Sequence, residues 1–135
     1  MNNRIYITYC CKNKHKLSHN LPIPVSELYI SRRIQNFIAF CNSQNYNWGI
    51  FSDLYGLVLS SEKIRWYDKS PDKVTDKEYS YLLETTLNKL KEYDEVFFYY
   101  NLDSFHPLYY KLVSDLQKHK TIQLCECLVI DYEKK

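Results

Sequence analysis

Two runs, residues 5–9 (IYITY) and 96–100 (VFFYY), restrict the fold more than anything else in the chain. Each is an unbroken series of β-branched or aromatic residues without polar alternation, the composition of a strand covered on both faces. Trp48–Ser52 (WGIFS) reads as a third buried strand. The stretches between these strands carry helix signals. Ser31 is a candidate N-cap for a helix in which Ile34, Phe37, Ile38 and Cys41 recur at i, i+3, i+4 and i+7. Thr75-Asp76-Lys77-Glu78 reads as a capping box, continued by an amphipathic face of Tyr79, Leu82, Leu83, Thr86, Leu87 and Leu90. Pro107 suits the first turn of a last helix with Leu108, Leu112, Val113 and Leu116 inward, and residues 121–124 and 128–132 read as short final strands. The order β-α-β-(β)-α-β-α-β predicts an α/β fold: a single three-layer domain, with a mostly parallel sheet and helices on both faces.

The remaining segments are connections. Pro22 and Pro24 deny helix to the residues before them, so residues 21–31 read as an extended loop. Residues 52–58 read as a turn into a short apolar segment, where Gly56 can take a positive φ or allow close backbone approach. Residues 61–71 have no sustained period and read as an ordered surface excursion.

Only two glycines and four prolines occur among 135 residues, and no repeat or linker interrupts them, so residues 1–135 are expected to form one domain. No apolar run reaches signal-peptide length or the roughly 20 residues of a membrane span, which predicts a soluble, cytoplasmic protein with no membrane partner. Five cysteines, an odd count without a secretion signal, read as reduced thiols. Cys10-Cys11 and Cys125-x-Cys127, with His15, His19 and His106, lack the spacing of a structural zinc site, because strand alternation sends adjacent side chains to opposite faces. No metal or other cofactor is expected. The net charge of +2 is too small for a surface that coats nucleic acid, yet Arg4, Lys12, Lys14 and Lys16 all precede the first acidic residue, Glu27. Any anion-binding face is local.

Chemistry concentrates where the first strand ends. Cys10, Cys11, Lys12, Lys14, His15 and Lys16 follow it, and ligands in open α/β sheets bind beyond the carboxyl ends of the strands. Residues 10–16, 52–56 and 100–106 fall on that same edge and are expected to share one pocket. Cys10 is the candidate nucleophile, since a thiol beside lysines can have a lowered pKa; a cysteine buried at a strand end would instead be inert. Lys12 and Lys14 read as anion binders or as solvated loop lysines. Ser52, Tyr55 and Gly56 could offer a hydroxyl, an aromatic face and an exposed N–H to a planar ligand, or form a tight turn packed on the core. Tyr67 and Asp68 lie in an aperiodic loop, where Asp68 could accept hydrogen bonds from a purine edge or ribose, or cap a turn.

These residues resemble a small uncharacterised α/β family with a spaced pattern: a strand ending in C-G/C-x-K-x-K, then P-A-x-x-L-Y-x-S, W-x-I-L-S-A-x-Y-G-L and a short Y-D. The matching positions are Cys10, Lys12 and Lys14; Pro24, Leu28, Tyr29 and Ser31; Trp48, Ile50, Ser52, Tyr55, Gly56 and Leu57; and Tyr67 with Asp68. Cys11 stands where the pattern has glycine and Asp53 where it has alanine. More distantly, Cys10-Cys11-x-x-Lys14 with Ser18-His19 is similar to an element of the archaeosine synthase core domain, which works on a 7-deazaguanine nitrile in transfer RNA. YaaA-like proteins, linked to DNA binding and peroxide resistance, share a comparable layout. The resemblance implies a nucleotide- or nucleobase-processing protein, leaning towards an enzyme that modifies bases. Cys10 and Lys14 would be catalytic, and Lys12, Tyr29, Ser31, Ser52, Tyr55, Gly56, Tyr67 and Asp68 would bind substrate. A non-catalytic nucleic-acid-binding module, a subunit of a larger complex and a homo-oligomer remain open.

Overall fold

The computed structural model describes residues 3–15 and 21–126. Its centre is a five-stranded sheet of β1 (Arg4–Tyr9), β3 (Trp48–Ser52), β4 (Gly56–Leu59), β6 (Glu95–Tyr100) and β7 (Thr121–Glu126), in the order β4-β3-β1-β6-β7. All neighbours are parallel except the β3–β4 hairpin. The fold is α/β with a mixed, mostly parallel sheet.

Strand β1 shows why its sequence is continuous rather than alternating. Ile5, Ile7 and Tyr9 join one apolar cluster, and Tyr6 and Cys10 join another. The first cluster takes Tyr79 and Leu82 from α3 (Asp76–Lys89) and Tyr109, Leu112, Val113 and Leu116 from α4 (Pro107–Gln117). The second takes Ile34, Phe37, Ile38 and Cys41 from α2 (Arg32–Ser43). Both sides of β1 are therefore buried, as its composition requires. Strand β6 is less enclosed than VFFYY suggests. Val96 and Phe98 are fully buried, but Phe97, Tyr99 and Tyr100 are half-buried. Phe97 stacks on Tyr6, with ring centroids 4.7 Å apart, and lies at the margin of the cluster that α2 covers.

The helix starts follow the cap chemistry. Ser31 accepts a hydrogen bond from the Ile34 N–H at the start of α2, and Thr75 and Glu78 form a reciprocal capping box at α3. His106 caps α4 by accepting the Leu108 N–H at Nδ1, with Pro107 in the first turn. The expected loop over residues 21–31 is more regular than its prolines suggest. It contains β2 (Ile23–Pro24) and a single helical turn, α1 (Val25–Leu28). β2 pairs antiparallel with β5 (Lys63–Ile64), which lies within the 61–71 excursion. Pro24 accommodates this by standing at the strand's end and just ahead of α1. The final strand expected at 128–132 lies outside the described residues, as do Lys16, Ser18, His19 and Cys127.

Topology places the site. From β1 the chain passes through α2 to β3 on one side; from β4 it passes through α3 to β6 on the other side of β1. The connections diverge at the carboxyl ends of β1 and β6, the position where open α/β sheets hold ligands.

Candidate functional site

A cleft of about 600 Å³ opens at this divergence. The segment after β1 contributes Cys10, Cys11, Lys12, Asn13 and Lys14, and the start of α2 contributes Ser31 and Arg33. Asp53 comes from the end of β3, Asp68 to Pro71 from the long excursion, and Asn101, Ser104, His106 and Tyr109 from the segment after β6. Residues far apart in sequence meet because three parallel strands end side by side.

The loop after β1 is anchored by backbone. The Cys10 N–H extends the ladder to the Phe51 carbonyl at 2.9 Å. Lys14 forms an isolated bridge with Tyr29, closed by His15 N–H to Leu28 and Ile30 N–H to Asn13. Lys14 is thereby buried, its ammonium 4.4 Å above the ring of Tyr67. Lys14 lines the cleft, and its charge acts on the Asp53 carboxyl.

Cys10 lies at the floor, buried, with Sγ 3.7 Å from the Tyr109 hydroxyl. Burial, reinforced by the neighbouring charge of Asp53, pushes its thiol up to about 12. Of the two readings open for Cys10, this burial favours the neutral thiol over the thiolate that Lys12 and Lys14 would promote. Asp53 is also raised above its ordinary carboxylate value, chiefly by burial, although hydrogen bonds from Tyr109 and Cys10 and the charges of Lys14 and His106 oppose the shift. The Tyr109 hydroxyl donates to Asp53 Oδ1 at 2.8 Å and is itself held far above the usual tyrosine range, first by burial.

Beneath the cleft, Arg33 holds the end of β1. Its guanidinium donates to Thr8 Oγ1 at 2.8 Å, to the Tyr9 carbonyl at 2.9 Å and to the Cys10 carbonyl at 3.3 Å, and it lies 4.1 Å from the Tyr9 ring centroid. The Tyr9 hydroxyl meets Ser104 Oγ at 2.8 Å and the backbone of Asn101, tying β1 to the loop after β6. At the rim, His106 Nε2 lies 2.7 Å from Asp72, and Lys69 pairs with Glu78 at 2.9 Å.

Cys10, Lys12, Lys14, Ser31 and Asp68 therefore line the cleft as expected. The other five expected residues do not. Tyr29 and Tyr67 are buried behind Lys14, their hydroxyls 2.6 Å apart, and Tyr55 sets its ring edge-on to Tyr67. Ser52 is sealed, its Oγ accepting the N–H groups of Leu54 and Tyr55. Gly56, expected to offer its N–H to a ligand, is instead buried against α3: it has φ 77°, and a Cβ there would lie 3.2 Å from the Leu82 carbonyl. For Ser52 and Gly56 the turn-and-packing reading is the one the geometry fits. Asp68 stands exposed at the rim.

Arg33, Asp53 and Tyr109 were not anticipated, yet each carries a signal. Arg33 and Tyr109 are polar residues in the first turn of a helix, in phase with the apolar stripes Phe37–Cys41 and Leu112–Leu116. Asp53 is an acid placed directly after a strand whose every residue is buried.

A family model matches residues 5–122. The chain belongs to the DUF6884 family. DUF6884 is described as a family of unknown function, and its span includes every residue lining the cleft. No curated protein and no solved structure matches the chain. Among the described residues of this DUF6884 chain, no group of three or more histidine, cysteine or acidic side chains could hold a metal ion, and no helix is long and apolar enough to cross a membrane.

Proposed function

We propose that this DUF6884 protein binds and processes a nucleotide or nucleobase in the cleft, with the ligand's anionic group at Lys12 and Lys14 and its ring towards Cys10 and Asp53. One observation carries the reading: two lysines, one of them buried and acting through its charge on a buried carboxyl, line the same cleft as that carboxyl at the topological divergence of the sheet. A phosphate prefers the basic end, and a planar ring suits the more enclosed floor. The neutral state of Cys10 favours a thiol that contacts the ligand over one that attacks it unaided. The resemblance to the archaeosine synthase core extends the proposal to base modification of the 7-deazaguanine type. The same reading takes the chain as a single three-layer, cytoplasmic domain.

Binding of nucleoside monophosphates and inorganic phosphate to the parent, Cys10→Ala and Lys12→Ala/Lys14→Ala proteins tests the proposal. Loss of binding in the lysine variant, with native circular dichroism retained, is the expected result. Unchanged binding in that variant, or no binding by the parent, would remove it. Affinity that falls steeply with salt and ignores Cys10 would instead indicate a non-catalytic nucleic-acid-binding module.

A further inference from the structure

Resting on that nucleotide reading, we infer that Asp53 selects the ligand's ring, accepting a ring edge with two parallel N–H donors, the amidine-like edge that guanine presents and adenine does not. Asp53 is 3% exposed and lines the cleft. The turn after β3 does not need its carboxyl, because Ser52 Oγ already accepts the Leu54 and Tyr55 N–H groups. No ion pair holds Asp53 among the described residues; its side chain has a tyrosine hydroxyl and a neighbouring thiol. Burying a carboxyl with so little compensation is costly, and such a cost is retained where a ligand supplies the missing partners.

The geometry leaves room for them. Tyr109 donates to Oδ1 and the Cys10 thiol also donates to the carboxyl, which leaves further acceptor capacity on a carboxylate that lines the cleft. An ionised carboxylate only accepts, and its two oxygens match two parallel N–H donors. Adenine would direct a ring-nitrogen lone pair at the same oxygens, a repulsive arrangement in a desolvated site. Asp68 is exposed and hydrated, so it discriminates poorly between the two edges. The groups facing Asp53 are Cys10 and Lys14 after β1, and His106 and Tyr109 at the start of α4. Because burial raises the Asp53 carboxyl, the preference for guanine strengthens as pH rises through and above the ordinary carboxylate range.

Isothermal titration calorimetry of the full chain with GMP, IMP, AMP and inorganic phosphate provides the test. GMP is expected to bind about tenfold tighter than IMP, which lacks the second donor, and tighter still than AMP, the size of one charge-assisted hydrogen bond per step. D53N, whose amide offers one acceptor and one donor in place of two acceptors, should abolish the preference for GMP over AMP. Equal affinities for GMP and AMP in the parent, or a preference that survives in D53N, overturn the inference. The parent comparison stands even if D53N fails to fold. Nucleotides bound without preference remove ring selection alone; failure of every nucleotide and of phosphate removes the proposed function as well.

Discussion

Cys10 and Cys11 are neighbours in sequence with opposite chemistry. Cys10 is buried and its thiol is pushed up to about 12, whereas Cys11 is half-buried, with Sγ donating to the Asn13 carbonyl at 3.2 Å. Brief treatment with iodoacetamide at neutral pH, followed by peptide mass spectrometry, should therefore alkylate Cys11 well before Cys10. Faster labelling of Cys10 would show that the floor of the cleft opens more than the structure allows. Arg33 is a cation in the first turn of α2, where the helix dipole disfavours it. Its placement makes sense only through the β1 groups it binds. Arg33→Met should destabilise the fold by about 3 kcal/mol in urea denaturation, since it leaves the Thr8 hydroxyl and two strand-end carbonyls without their donor.

Among the elements, those legible in sequence were the ones whose signals are local. The capping box of α3, the serine cap of α2 and the proline-led start of α4 all form as their residues direct. The extended reading of 21–31 missed β2 and α1 because β2 depends on pairing with β5, about 40 residues away, which no local pattern reveals. Thr75→Ala should cost about 1 kcal/mol of stability, measured by denaturant unfolding, because it removes the acceptor for the Glu78 N–H. The Glu78 carboxyl, held down to about 2 chiefly by the Thr75 N–H and then by Lys69, adds a pH signature. A carboxyl with a lowered folded value stabilises above its unfolded value and loses that effect as pH falls through the folded one. The stability difference between the parent and Glu78→Gln should therefore shrink as pH falls from about 4.5 to about 2. Gly56→Ala tests the other local constraint. With φ 77° and the Leu82 carbonyl 3.2 Å from the added Cβ, it should destabilise the β3–β4 hairpin by more than about 1 kcal/mol in the same assay.

At the scale of the molecule, the site is a consequence of the order in which strands enter the sheet. The basic loop after β1 was legible as a cleft wall from its residues alone, because Cys10, Lys12 and Lys14 fall at alternate positions within five residues. Its partners were not. Asp53 and Tyr109 reach Cys10 only because β3 and β6 flank β1, and single residues at strand ends resemble ordinary turn and core residues until the topology is known. Tyr29 of the LY-x-S motif and Ser52, Tyr55 and Gly56 of the S-x-x-YGL motif are used by the fold mainly to support the cleft rather than line it.

The central claim is that the ends of β1, β3 and β6 form one ligand site. The most direct measurement is a titration of ¹⁵N-labelled protein with guanosine and adenosine monophosphates, followed by two-dimensional NMR. Amide shifts centred on residues 10–14, 53, 68–71 and 101–109 are the expected result. Shifts centred on another face, or none at millimolar nucleotide, would contradict it.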